Sequence, residues 1–204
     1  MHRRFTTKLA LLAIATLVLA LVAPAGATAQ AQRRIAVHGG TTTLTTATGL
    51  VKKLLGAKIV AFVTSPATQS LRTTKTGPAL VARYPVTRGT IAQHPLRGQY
   101  GHRGGLFITN LNNNKSVAVD NLIVNTKLKV LTAHVVVLPK SVQPTVFRLN
   151  FTKASILVRS GFVQISRIGV TLDKNAASLL NSALGTTVFK SGMAFGTAVS
   201  RLDR

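Results

Sequence analysis

The sequence predicts an all-β fold, an antiparallel β-sandwich or a flattened barrel, with two short helices in strand–helix units at its N- and C-terminal ends. Three observations carry this. Short β-branched runs recur between Gly, Pro and Asn signals, only two stretches have helical spacing, and those two stretches sit near opposite ends in similar surroundings.

Taken in order, Thr41–Thr46 is β-branched and reads as a strand. Gly49–Leu55 switches to helical spacing with Leu50, Leu54 and Leu55 on one face, and Gly56 is placed to end it in a left-handed cap. Lys58–Thr64 is strand again, stopped by Ser65-Pro66, and residues 65–79 read as a loop rich in Thr, Ser, Gly and Pro. Leu80–Val86 is extended, and Gly105–Leu111 returns through the turn Asn112–Asn114 into Ser116–Asn125. Lys127–Leu138 has apolar residues on both faces and reads as a central strand covered on two sides. Val146–Phe151 alternates, with Phe147, Leu149 and Phe151 inward. Ser155–Arg159 and Phe162–Leu172 form a hairpin through Ser160-Gly161. The second helix follows Asp173 as N-cap, carries the stripe Leu179, Leu180, Ala183 and Leu184, and ends at Gly185. Phe195–Leu202 closes the domain. Thr43-Leu44 through Gly56 to Ile59 lines up with Thr171-Leu172 through Gly185 to Val188, with one extra residue in the second copy. The two units are either related ends of one domain or share only generic punctuation.

Residues 1–31 read as a secretory signal peptide. Met1–Lys8 is basic, Leu9–Ala23 is apolar apart from Thr16, and Pro24–Ala31 is rich in small residues with Ala-x-Ala spacings. The apolar run, about fifteen residues, is shorter than the roughly twenty that a membrane span needs. Cleavage is expected after Ala29 or Ala31, leaving a lead-in over 32–40 and a single β domain over 41–204. No integral membrane segment is expected after cleavage, and the protein should be secreted or associated with the cell envelope.

The chain has 26 Lys plus Arg against 3 Asp plus Glu; the acids are Asp120, Asp173 and Asp203, and there is no Glu or Cys. Cleavage after Ala31 removes Arg3, Arg4 and Lys8, so 173 residues with 23 basic and 3 acidic groups remain. Paired-carboxylate catalysis, carboxylate cages for Ca²⁺ or Mg²⁺, thiolate zinc sites and thiol nucleophiles are all disfavoured. The chain also lacks G-x-S-x-G and phosphate-loop patterns. The expectation is a binding protein and not an enzyme.

His134 reads as sharing a strand face with Leu128, Val130, Thr132, Val136 and Leu138, as a core or half-buried histidine; His38 lies in the lead-in. Residues 83–106 are richer. Arg83, Arg88, Arg97 and Arg103 occur there with His94, His102, Tyr84 and Tyr100, and no acid lies between Pro66 and Asp120. Tyr100 and His102 are two apart, so an extended chain puts both on one face. Gly98, Gly101, Gly104 and Gly105 would let backbone approach a flat ligand closely. A glycine-rich turn with solvated arginines is the other reading.

Tyr84-Pro-Val-Thr-Arg-Gly-Thr-Ile91, Gly98-Gln-Tyr-Gly-His-Arg-Gly-Gly-Leu106, Asn121–Val124 and Leu131–Ala133 resemble the HtaA domain family, exported actinobacterial domains that bind haem at the cell surface. The tail, Val170–Asp173 through Leu184-Gly185 to Phe195–Ala198, resembles a divergent branch of it. The resemblance implies an antiparallel β-sandwich with small helices, haem as cofactor, and an axial tyrosine hydrogen-bonded by a histidine. His102 matches the motif histidine. The family's tyrosine belongs to an N-terminal stretch, and here Ala47–Leu55 holds none. Tyr100 and Tyr84 are then the candidate ligands of equal standing, with Arg103 a candidate partner for haem propionates. The alternative partner is an anionic cell-wall polymer held by the positive charge. Nucleic acid is not expected, because no basic-aromatic run could stack bases.

Overall fold

The computed structural model describes residues 34–74, 77–93, 95–137 and 140–204. The expected signal peptide, His94 and Leu138 lie outside the described residues.

Among the described residues, fourteen strands and two helices follow one another. The first third holds β1 (Arg34–Val37), β2 (Gly39–Thr46), α1 (Leu50–Gly56), β3 (Ile59–Thr64) and β4 (Thr68–Thr74). The middle holds β5 (Gly77–Ala92), β6 (Arg97–His102), β7 (Gly105–Asn110), β8 (Lys115–Asn125), β9 (Val130–Val137) and β10 (Lys140–Val142). The last third holds β11 (Thr145–Asn150), β12 (Ser155–Arg159), β13 (Phe162–Leu172), α2 (Lys174–Leu184) and β14 (Ala194–Asp203).

The all-β expectation holds, but the sheet does not form two open layers. The order β9-β11-β13-β14-β2-β5-β6-β8 is antiparallel throughout, and β8 pairs with β9 again, so eight strands close into a barrel. Closure needs strands that bend, and bulges supply the bends. The β8–β9 register shifts between Asp120 and Ile123, where Asn121 has φ 48°, and the β13–β14 register shifts between Ile165 and Ile168, where Arg167 has φ 58°. The other strands extend the ring: β1 and β4 pair with β5, β12 with β13, β10 with β9, and β7 and β3 continue beyond β8.

Several local expectations are corrected. Within the lead-in Arg34–Val37 is strand, paired to Ala92–Gly89. The supposed loop 65–79 contains β4, which forms a hairpin with β5 through Thr68–Thr74 against Arg83–Gly77; its threonines satisfy a strand as readily as a loop. Helix α1 does not end in a left-handed Gly56; Ala57 is the cap and Lys58 takes the positive φ of 57°. Of its three stripe residues Leu50 and Leu54 are buried while Leu55 is 52 % exposed. Strand β9 begins at Val130, after a turn, and is not covered on both sides: Ala133 and Val135 are buried, whereas Thr132, His134 and Val136 are only half-buried. The echo between the two strand–helix units stops after the helices, since Val188 lies in an irregular segment and not in a strand.

The second helix follows its signals closely. Asp173 accepts from the Asn175 amide, and Gly185 is left-handed at φ 61°. The Asn112–Asn114 turn does more than reverse the chain. Asn110 and Asn113 donate through Nδ2 to the Leu184 carbonyl at 2.8 and 3.0 Å, and the Leu111 amide donates to the Lys58 carbonyl at 2.8 Å. The turn and the residues leading into it therefore satisfy the carbonyl that α2 leaves open at Leu184 and tie to Lys58 just beyond α1.

Candidate functional site

The barrel interior is not filled. A cavity of about 360 Å³ is bordered by side chains from all eight ring strands and from both helices, most of them aliphatic. Eight strands are about the number at which an interior either fills with side chains or leaves room for one small ligand, and here the interior leaves room.

Tyr84, Tyr100 and His102 all border this cavity. Their strands place them together: β5 pairs with β6 so that Val86 faces His102 and Gly89 faces Tyr100, while Tyr84 faces Thr42 on β2. Tyr100 and His102 share the inward face, as their spacing requires. The His102 ring lies 5.4 Å from Tyr100 and 6.4 Å from Tyr84, edge-on to both. The chain's two tyrosines thus flank one imidazole.

The two phenols differ in their bonding. The Tyr100 hydroxyl donates to Ser200 Oγ at 2.9 Å, Ser200 Oγ meets Thr42 Oγ1 at 2.9 Å, and Thr42 Oγ1 meets His102 Nε2 at 2.8 Å. His102 Nδ1 lies 3.2 Å from the Leu122 carbonyl oxygen. A carbonyl only accepts, so Nδ1 carries the hydrogen and Nε2 is left to accept from Thr42. Thr42 in turn accepts from Ser200, and every donor in the chain is used once. Burial depresses the His102 pKa to about 4, against a smaller upward pull from the Leu122 carbonyl, so the ring is neutral. Burial pushes Tyr100 up to about 12, with the Ser200 hydrogen bond opposing it. Tyr84 is buried too, and burial raises its pKa far above the ordinary range, but its hydroxyl has no hydrogen-bond partner among the described residues. Its oxygen is also not sealed off, since no fully enclosed side-chain nitrogen or oxygen lacks a partner. The cavity is what it faces.

The arginines go elsewhere. Arg83, Arg88, Arg97 and Arg103 are all exposed, and none borders the cavity. Arg103 lies just past β6, where its amide donates to the Pro85 carbonyl at 2.9 Å. The glycines of this region serve strand pairing instead of a ligand: a Cβ on Gly98 would strike the Thr90 carbonyl, and one on Gly105 the Val119 carbonyl. His38 is exposed between β1 and β2. His134 is half-exposed and pairs with Asp120 at 3.1 Å, a satisfied surface contact. No three metal-ligating side chains converge among the described residues.

Thr42 and Ser200 are the participants that sequence reading missed. Thr42 sits in a run of threonines that look alike. Ser200 did carry a signal, since it interrupts the inward alternation of Ala198, Ser200 and Leu202 with the single polar group on that face.

The chain therefore belongs among closed antiparallel barrels with an internal apolar cavity and a buried phenol–imidazole cluster on its wall. Among solved structures it is similar to the C-terminal domain of HtaA from Corynebacterium glutamicum, with a TM-score of 0.54 at 13 % identity over 82 % of this chain and 97 % of that one. A domain-swapped dimer of a histidine-to-alanine variant of that domain is also similar, with a TM-score of 0.48 at 13 % identity over 76 % of this chain and 90 % of that one. No family model and no curated protein matches by sequence. In architecture the chain is an HtaA-like domain, the fold that residues 84–106 and 170–198 resemble.

Proposed function

We propose that this is an exported, cell-surface binding domain whose barrel cavity takes haem, with Tyr84 as the iron ligand and His102 beside it. The observation that carries this reading is the Tyr84 hydroxyl, without a hydrogen-bond partner among the described residues, on a mostly apolar cavity. A porphyrin face suits aliphatic walls, and when bound the group would bring a ferric iron able to take a phenolate oxygen at a pH where the free phenol keeps its proton. Tyr100 is the lesser candidate, because its hydroxyl is already committed to Ser200. Where the family carries its tyrosine, Leu50, Val51, Leu54 and Leu55 contribute to the cavity wall, so the phenol here comes from β5. Burial keeps His102 neutral, and the Thr42 and Leu122 contacts fix its orientation. Propionates would have to meet cations at the cavity mouth, where exposed Lys52, Lys53 and Arg72 alternate with residues that border the cavity. A neutral imidazole and two phenols held this far from physiological titration support binding over proton-transfer catalysis.

Absorbance titration of the purified protein with haemin tests this. Wild type and Tyr100→Phe should develop the band of a tyrosine-ligated haem, Tyr84→Phe should lose it, and His102→Ala should shift or weaken it. A wild-type spectrum matching free haemin, or a band unaffected by Tyr84→Phe, would sink the assignment. The outward set of Arg83, Arg88, Arg97 and Arg103 supports a second reading, retention on anionic wall polymers. That association should weaken steeply as salt rises past physiological strength, where the screening length is about 8 Å.

A further inference from the structure

The mouth of the cavity has its own chemistry. Three large apolar residues border the cavity and are also open to solvent: Leu55 on α1, Phe62 on β3 and Leu71 on β4, at 52, 43 and 72 % exposure. Phe107, itself exposed, stacks on Phe62 with ring centroids 6.3 Å apart and planes 12° from parallel, which widens the apolar lip. Large side chains exposed singly need no explanation; four of them gathered around one opening do. Helix α1 carries exposed Lys52 and Lys53, the turn between α1 and β3 carries exposed Lys58, β4 carries exposed Arg72, and no acid occurs anywhere from Arg34 to Ala118.

We propose that this lip docks on an anionic lipid surface, with Leu55, Phe62 and Leu71 entering the interface and the flanking cations meeting lipid phosphates. Charge complementarity selects this occupant. An apolar patch whose own segments, α1 to β4, carry Lys and Arg and no acid matches a membrane interface, where burial of the apolar tips and attraction to anionic headgroups act together; the acid nearest Phe107 along β8, Asp120, is paired with His134. A second copy of the chain would bring the same cations face to face around the apolar centre, which opposes pairing through this patch. No helix among the described residues is long and apolar enough to cross a membrane, so the contact would be peripheral. Docked this way, the cavity would open toward the bilayer, and an apolar ligand could pass between the two without crossing water. The inference concerns the lip alone and stands whether or not the cavity takes haem.

The chain has no Trp, so a single introduced one reports on its own surroundings. Leu71→Trp is compared with Leu128→Trp, whose site is 64 % exposed but lies in the turn between β8 and β9, away from the cavity. With vesicles of phosphatidylcholine plus phosphatidylglycerol, emission from position 71 should move to the blue and that from position 128 should not. In vesicle sedimentation Leu71→Glu should lower partitioning about tenfold or more, the equivalent of losing one buried leucine, while Leu128→Glu, with the same change in net charge, should change it less than about twofold. Equal losses in the two Glu variants would mean that overall charge alone drives binding. That result, absence of vesicle binding by the wild type, or a wild-type dimer in solution that Leu71→Glu dissolves would each overturn the proposal.

Discussion

The two helices end beside one turn, yet they are built very differently. Helix α2 has eleven residues, a carboxylate cap, a left-handed glycine at its end, and Ala176, Ala177, Leu180 and Leu184 buried. Asn181 holds the following segment as well, bonding the Phe189 backbone through both side-chain atoms at 2.8 and 3.1 Å. Helix α1 has seven residues, no side-chain cap, and only Leu50 and Leu54 buried. A helix this short is marginal by itself and lasts only through packing. The contrast shows how one kind of strand–helix unit can serve two ends: α2 is anchored as part of the core, while α1 leaves apolar surface at the cavity mouth.

The sharpest way to break that contrast is to truncate matching leucines. Leu184→Ala removes a fully buried side chain from α2 and should cost about 2–5 kcal/mol in denaturant unfolding. A loss under about 1 kcal/mol would mean that α2 is not anchored as described. Acid should act next, and through the cavity wall. The unfolded chain takes up a proton at His102 near pH 6.5 and the native chain only near pH 4, so the unfolded state binds more protons between these values. Stability should fall by roughly 3 kcal/mol as pH drops through that window, and His102→Gln should flatten the slope.

The α2 cap should outlast this change. Burial pushes Asp173 up, but hydrogen bonds from Arg148 at 2.7 Å and from the helix backbone, with the Arg148 charge, outweigh it and hold its carboxyl below the usual carboxylate range. Its contribution is therefore present above the ordinary carboxylate pKa and is lost only as pH falls through the depressed native value. Asp173→Ala at neutral pH should cost about 1–2 kcal/mol. The smallest effect is expected at Leu55→Ala, within about 0.5 kcal/mol in stability, because the side chain is half in solvent. A loss as large as that at Leu184 would erase the distinction between the two helices.

Much of this molecule was legible without coordinates because its signals are local. The strand–turn–strand around Asn112–Asn114, the Ser160-Gly161 hairpin, and α2 with its Asp173 cap and Gly185 end all rest on residues within a few positions of one another. The shared face of Tyr100 and His102 follows from strand periodicity alone. Even Ser200 was marked by a lone polar position on an apolar face.

What tertiary structure decided is long-range. Closure into a barrel depends on β8 meeting β9 through a bulge at Asn121, and no local pattern tells a closed ring from two open layers. Composition drew the arginines of 83–106 toward the tyrosines, yet adjacency in sequence alternates across a strand, so Arg83 points out where Tyr84 points in. The two tyrosines looked equivalent until Thr42 and Ser200, 158 residues apart, met beside His102 and bound one of them. Hydrogen bonds between distant strands have no sequence signature, and it is these that commit the Tyr100 hydroxyl while that of Tyr84 has no partner among the described residues.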